Sequence, residues 1–150
     1  MLNIKKSPAQ IFSKRLVSIK YSQLIIQDLE KIIIGIHKRN LIESYLLNSY
    51  IINLVTSLQT FVQDLLGESV NKIINSIENE QLVQIIISNF QDKIKRFDTP
   101  NTENIDQIFE SVLGIQKITQ MLKNVDVTKE RIIKIIKIRH SIAHTGYAKV

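Results

Sequence analysis

Three residues near the end of the chain, Arg139, His140 and His144, combine side chains that could act on a phosphodiester. Histidine is the side chain whose ionisation lies nearest neutral pH, so it can donate or accept a proton in a reaction there. Arginine carries a permanent charge and parallel N–H donors that match two oxygens of a phosphate. We therefore predict a phosphate-directed site in this segment.

The helical position of Arg139 sets it apart from the other cations of its segment. On a helix that turns by about 100° per residue, it falls on an apolar side, whereas Arg131, Lys134, Lys137 and Ser141 fall on the other. The apolar side consists of Ile132, Ile135, Ile136, Ile142 and Ala143. Burying an unpartnered guanidinium is costly. Three interpretations are open: an ion pair with a carboxylate of another helix, a charged tip that reaches water, or a cleft or dimer seam that holds an anion.

A metal site is the competing chemical interpretation. His140 and His144 have the i, i+4 spacing of helical zinc ligands. The glutamate of the H-E-x-x-H pattern is missing, because Ser141 follows the first histidine, and the adjacent Arg139 would repel a cation. We therefore expect neither a metal ion nor another cofactor. The third histidine, His37, is isolated in the sequence and receives no role.

The elements that position these residues are predicted to be helical throughout. Apolar residues recur every three or four positions, only four Gly and two Pro interrupt the chain, and no strand pattern or repeat is evident. The expected fold is all-α: an up-and-down bundle of four to six helices that forms a single domain over residues 1–150.

The boundaries of the helices are predicted from cap and turn residues. The first helix is expected to start at the Ser7-Pro8 cap and to close at the basic residues 37–40. A second, with a seam from Leu47 to Leu65, is expected to break at Gly67 or near residues 76–80. Three more are expected at 82–94, at 105–122 after the loop 97–104, and from a cap at Asp126 or Thr128 to about His144, with Gly146 as the C-cap.

Composition and charge indicate which kinds of partner the chain could bind and where in the cell it is expected. A net charge of +6 and a pI near 9.6 favour an anionic partner, which could be RNA, DNA, an acidic protein or a membrane surface. The aromatic content of 6% argues against a platform that stacks many single-stranded bases. There is no apolar run of the roughly 20 residues that cross a bilayer, no signal-peptide pattern and no cysteine. We expect a soluble, cytoplasmic protein.

The segment Arg139-His140-Ser141-Ile142-Ala143-His144-Thr145-Gly146 resembles the motif of the HEPN superfamily. Those domains are small helical bundles whose last core helix carries an Arg, a polar residue, a short spacer and a His. The segment looks like the Arg-Asn-x-Ile-Ala-His-Gly form of bacterial members. Residues 97–104 and 108–115 are also similar to HEPN domains of the bacterial RNA-ligase-associated (RiboL-PSP) type.

The resemblance implies a metal-independent endoribonuclease. In that mechanism the RNA 2′-OH attacks the adjacent phosphorus and leaves 2′,3′-cyclic phosphate and 5′-OH ends. His144 would be the general acid or base, Arg139 would neutralise charge on the phosphorane, and His140 would bind phosphate or orient the cleft. The resemblance also implies a homodimer with both motifs at one cleft, and a toxin or antiviral effector with an antitoxin partner. The alternative is a non-catalytic HEPN module that binds RNA or a nucleotide, or that serves dimerisation.

A tyrosine near the motif is a candidate for regulatory modification. In one toxin system of the superfamily, a partner nucleotidyltransferase modifies a Tyr two residues after the motif histidine. Here that position is Gly146, and Tyr147 follows it. Tyr147 is therefore a candidate by proximity alone.

The sequence shows no group of side chains that would recognise particular RNA bases, so it does not predict the RNA target.

Overall fold

The computed structural model describes residues 6–29, 31 and 35–145. The described residues form five α-helices and one short 3₁₀ helix and contain no strand. The elements are α1 (Pro8–Leu29), α2 (Ile36–Ile74), α3 (Glu80–Lys95), α4 (Thr102–Leu113), the 3₁₀ helix (Ile118–Met121) and α5 (Val125–Thr145). The predicted all-α helical bundle is confirmed. In the described part of the chain, no helix combines the length and hydrophobicity that crossing a bilayer requires.

The chain divides into two compact units. The terminal unit comprises the described residues up to Leu58 and those from Lys134 onward, and the central unit comprises Gln59–Ile133. The terminal unit therefore contains α1, the first part of α2 and the last part of α5. The central unit contains the rest of α2 and α5 together with α3, α4 and the 3₁₀ helix.

The start of α1 confirms the cap predicted at Ser7 and Pro8. The Gln10 backbone N–H donates to Ser7 Oγ at 3.3 Å, and the Ser7 backbone N–H donates to Gln10 Oε1 at 3.0 Å. This reciprocal pair is a capping box, which satisfies donors that the first helical turn leaves free. Pro8 follows as the first helical residue, where its missing N–H costs nothing.

The helix end predicted at residues 37–40 is wrong. α1 ends at Leu29 and α2 begins at Ile36, so these basic residues lie in the first turns of α2. The apolar period continues on both sides of the break, which is why the sequence pattern does not reveal it. Arg39 still acts at a helix C-terminus, because its guanidinium donates a hydrogen bond of 3.1 Å to the carbonyl of Leu29.

The central unit is built around Leu66, which is fully buried. α2 continues through Gly67, and of the two predicted breaks it is the polar stretch after Ile74 that ends the helix. Asn79 then caps α3 by accepting a hydrogen bond from the Leu82 backbone N–H. The buried cluster consists of Val62, Leu66, Phe97, Ile105, Ile108 and Phe109.

The fourth helix is shorter than predicted. α4 ends at Leu113, because Gly114 adopts a left-handed conformation with φ of 71° and closes the helix. The following 3₁₀ helix is attached to α4 through Asp106, whose carboxylate accepts hydrogen bonds from Thr119 N at 2.8 Å and Thr119 Oγ1 at 2.9 Å.

The last helix begins earlier than predicted. α5 starts at Val125, so Asp126 and Thr128 lie within the helix and the prediction of either as its cap is wrong. It extends to Thr145, in agreement with the predicted end near His144. The C-cap predicted at Gly146 lies outside the described residues.

Candidate functional site

The last turns of α5 carry the three motif residues on a continuous helix within the terminal unit. Arg139 is half-buried, and Ile136 and Ile142, one turn before and after it, are each only 7% exposed. The helix therefore places a guanidinium within its packed side, as the sequence pattern predicts. Ala143 differs from that pattern and is exposed.

Arg139 has no carboxylate partner among the described residues. The ion pairs there are Lys31 with Asp28 at 2.7 Å and Lys72 with Glu68 at 2.9 Å. The described part of the terminal unit holds only two carboxylates, Asp28 and Glu43. The interpretation of Arg139 as the structural half of an ion pair therefore finds no partner there. No described carboxylate therefore competes with an anion for this guanidinium.

The two motif histidines are exposed and share one side of α5. Residues four apart on a helix lie on the same face with Cβ atoms about 5–6 Å apart, so His140 and His144 could act on one group together. Arg139 and His144 are five apart and project about 140° from each other around the helix axis. One copy of α5 thus presents the Arg139 guanidinium and the candidate acid–base group, His144, on different sides.

The positive charge of the chain is concentrated in the terminal unit. Its described residues include ten Lys and Arg against two Asp and Glu, whereas the central unit has eight against eleven. All three histidines also belong to the terminal unit. The net charge of the whole sequence conceals this separation, which a count by segment would have revealed. The excess of positive charge therefore lies in the unit that carries the motif.

The metal site considered at His140 and His144 and the candidate modification site at Tyr147 were both predicted from the sequence. Within the described ranges, no group of three or more His, Asp or Glu side chains could hold a metal ion. His140 and His144 thus lack a third described ligand for zinc. Tyr147, the candidate for modification, lies outside the described residues.

A family model described as RiboL-PSP-HEPN matches residues 19–150. The match includes all of α2–α5 and the whole segment from Arg139 to His144. No curated protein and no solved structure matches the chain.

Proposed function

Since the chain belongs to the RiboL-PSP-HEPN family, we propose that it is a metal-independent endoribonuclease. The observation that carries the proposal is the position of Arg139, half-buried in α5 without a described carboxylate partner, beside two exposed histidines. HEPN domains include ribonucleases and nucleotide-binding modules. A guanidinium available to a phosphate and a histidine open to solvent are what the ribonuclease chemistry requires.

The proposed reaction uses only groups of the protein and of the RNA. A base removes the proton of the ribose 2′-OH, and the 2′ oxygen attacks the adjacent phosphorus. The bond from phosphorus to the 5′ oxygen breaks, and an acid protonates that oxygen, so that a 2′,3′-cyclic phosphate and a 5′-OH remain. His144 is the general acid or base of this step, Arg139 stabilises the charge that develops on the phosphorane oxygens, and His140 binds phosphate.

We propose that two copies of the chain form the active cleft. The divergence of Arg139 and His144 by about 140° on one helix means that a second copy can complete the set around one phosphate. The terminal unit also exposes large apolar side chains, with Tyr21 61% and Tyr45 68% exposed. Exposed apolar residues beyond the usual scattering are typical of surfaces that pair with a partner.

The biological setting belongs to the same proposal. A ribonuclease of this kind is a toxin or an antiviral defence effector, and an antitoxin protein is the partner that holds it in check. Tyr147 is the candidate for a modification that would silence the site, because it lies three residues beyond His144.

The proposal is tested with labelled RNA of mixed sequence in EDTA. We expect the wild type to cut the RNA and to leave 2′,3′-cyclic phosphate ends, and we expect Arg139→Ala and His144→Ala to abolish cutting. The matched controls are Lys137→Ala, an exposed cation two residues before Arg139, and His37→Ala, an exposed histidine of the terminal unit. Both controls should cut at close to the wild-type rate.

Other results would decide against the proposal. Cutting that requires a divalent metal would contradict the mechanism. Equal loss of activity in Lys137→Ala and Arg139→Ala would indicate that only general charge matters. If none of the folded proteins cuts RNA but the wild type binds RNA or a nucleotide, the chain is a non-catalytic binding module of the family.

A further inference from the structure

A groove between α1 and α2 in the terminal unit combines features of a phosphate site. Its volume is about 310 Å³. The lining residues are Arg15, Ser18, Ile19, Ser22, Asn53 and Ser57. They comprise one cation, three hydroxyls, one amide and one apolar residue, and no carboxylate. Arginine, serine and asparagine are side chains that proteins use to hold nucleic-acid phosphates.

The groove is lined in part by Ser57, a serine that is itself largely buried. Ser57 is only 7% exposed, and within the described part of the chain its side chain has no hydrogen-bond partner. The Ser57 Oγ is not among the side-chain atoms sealed from solvent, so the hydroxyl is open to a ligand in the groove and can donate its proton there. Asn53 donates one amide N–H to Ser49 Oγ at 3.3 Å, and an amide group carries a second N–H that is available to a ligand.

The electrostatics around Arg15 favour an anion. No ion pair links Arg15 to a carboxylate among the described residues. Lys6 and Lys14 add positive charge near the start of α1, where the side chain of Lys14 lowers the pKa of Lys6. These two cations do not line the groove, but their charge attracts an anion to this part of the terminal unit.

A second polar cavity, lined in part by Lys93 and Arg96, is a weaker candidate. It lies in the central unit, where carboxylates outnumber cations. Its cations occupy the C-terminal end of α3, where the helix dipole already accounts for basic residues. None of the residues that line this cavity is a buried serine or threonine. These differences favour the groove between α1 and α2.

We infer that this groove binds a backbone phosphate of the RNA substrate at a nucleotide other than the one that is cut. The inference rests on the proposed function, because RNA is the ligand that it assigns. Arg15 holds the phosphate charge, and Ser57 with its neighbouring hydroxyls donates to the remaining oxygens. The groove thus anchors the strand through its backbone, independent of base sequence.

The test measures binding of a fluorescent 2′-O-methyl RNA by anisotropy at several salt concentrations. That RNA cannot be cut, because it lacks the attacking 2′-OH, so binding is separated from cleavage. We expect Arg15→Gln to weaken binding about tenfold or more and to reduce the slope of log affinity against log salt by about 0.7. The matched control is Lys20→Gln, an exposed cation of α1 outside the groove, which should stay within about threefold of wild type.

Ser57→Ala tests the groove without a change in charge. We expect about threefold to tenfold weaker binding with an unchanged salt slope, because a neutral hydrogen bond is lost. Removal of an unpartnered hydroxyl should leave the fold intact, as circular dichroism will verify. Ser13→Ala, an exposed serine of α1, is the control and should bind as the wild type does.

The outcomes separate the groove from the proposed activity. If Arg15→Gln behaves like Lys20→Gln and Ser57→Ala like Ser13→Ala, the groove inference fails, whether or not the wild type cuts RNA. It also fails if the wild type does not bind the RNA. If the groove variants bind weakly but the wild type never cuts unmodified RNA, the groove still holds a backbone phosphate of RNA and the proposed ribonuclease fails.

Discussion

At the scale of single residues, the environment of Arg139 separates a structural role from a functional one. A guanidinium kept for the fold is expected in a buried ion pair, and breaking such a pair costs about 3–5 kcal/mol. Arg139 is half-buried and has no carboxylate partner in the described ranges. Its removal should therefore affect ligand chemistry far more than folding.

We predict that Arg139→Lys removes most of the cleavage while the fold is preserved. Lysine keeps the charge but lacks the planar N–H pair that binds two phosphate oxygens. The cleavage rate should fall about 100-fold or more, and the free energy of unfolding should change by less than about 1 kcal/mol. RNA cleavage and urea denaturation measure these quantities. A loss of several kcal/mol with normal cleavage would identify Arg139 as a structural residue.

The sequence predicts some of these residues and not others, for a physical reason. The position of Arg139 follows from the period of a single helix, so it could be predicted before the fold was known. Arg15 and Ser57 belong to different helices, and their approach depends on how α1 packs against α2. Helical periodicity assigns a face to each residue but does not pair the faces of two helices. The groove is therefore visible only in the structure.

At the scale of the elements, helix ends depend on residues that leave the regular spacing of apolar residues unchanged. The period around Ile108 continues past Leu113 into Ile115 and Ile118, which predicts a longer α4. Gly114 ends the helix there because it adopts a φ of 71°. Gly67 lies within α2 and does not interrupt it. The sequence pattern predicts a possible break at Gly67 and none at Gly114, and the structure shows the reverse at both glycines.

We predict that alanine substitutions at these glycines have opposite effects on stability. A Cβ at Gly114 would meet no atom within 4 Å, so Gly114→Ala should destabilise by about 1–2 kcal/mol through its left-handed backbone alone. A Cβ at Gly67 would lie 3.6 Å from Phe90 Cζ, an ordinary contact, so Gly67→Ala should stabilise by about 0.5–1 kcal/mol. Urea denaturation compares the two. Stabilisation by Gly114→Ala would contradict the assigned helix end.

The link between α4 and the 3₁₀ helix leads to a second prediction at this scale. Asp106 accepts two hydrogen bonds from Thr119, which is buried. Asp106→Ala should therefore destabilise by about 2–3 kcal/mol, whereas Gln107→Ala, an exposed neighbour, should stay within about 0.5 kcal/mol. Equal midpoints of thermal unfolding for the two variants would show that this link contributes nothing.

At the scale of the whole molecule, the separation of charge between the two units bears on how RNA is approached. Cations outnumber carboxylates five to one in the described part of the terminal unit, and carboxylates outnumber cations in the central unit. A polyanion is therefore drawn to one unit and repelled by the other. The same unit contributes the motif of α5 and the groove between α1 and α2. We propose that this charge favours association with RNA and that the individual side chains of the motif and the groove bind its phosphates.

The proposed cleft requires two copies of the chain. If Arg139 of one copy acts with His144 of the other, a heterodimer of Arg139→Ala and His144→Ala chains contains one complete site. Tandem affinity tags allow that heterodimer to be purified after co-expression. Since a two-fold dimer has two equivalent sites, we expect about half of the wild-type cleavage rate from it, although both parent homodimers are inactive. A heterodimer as inactive as its parents would mean that each copy supplies both groups of its own site, despite their divergence around α5.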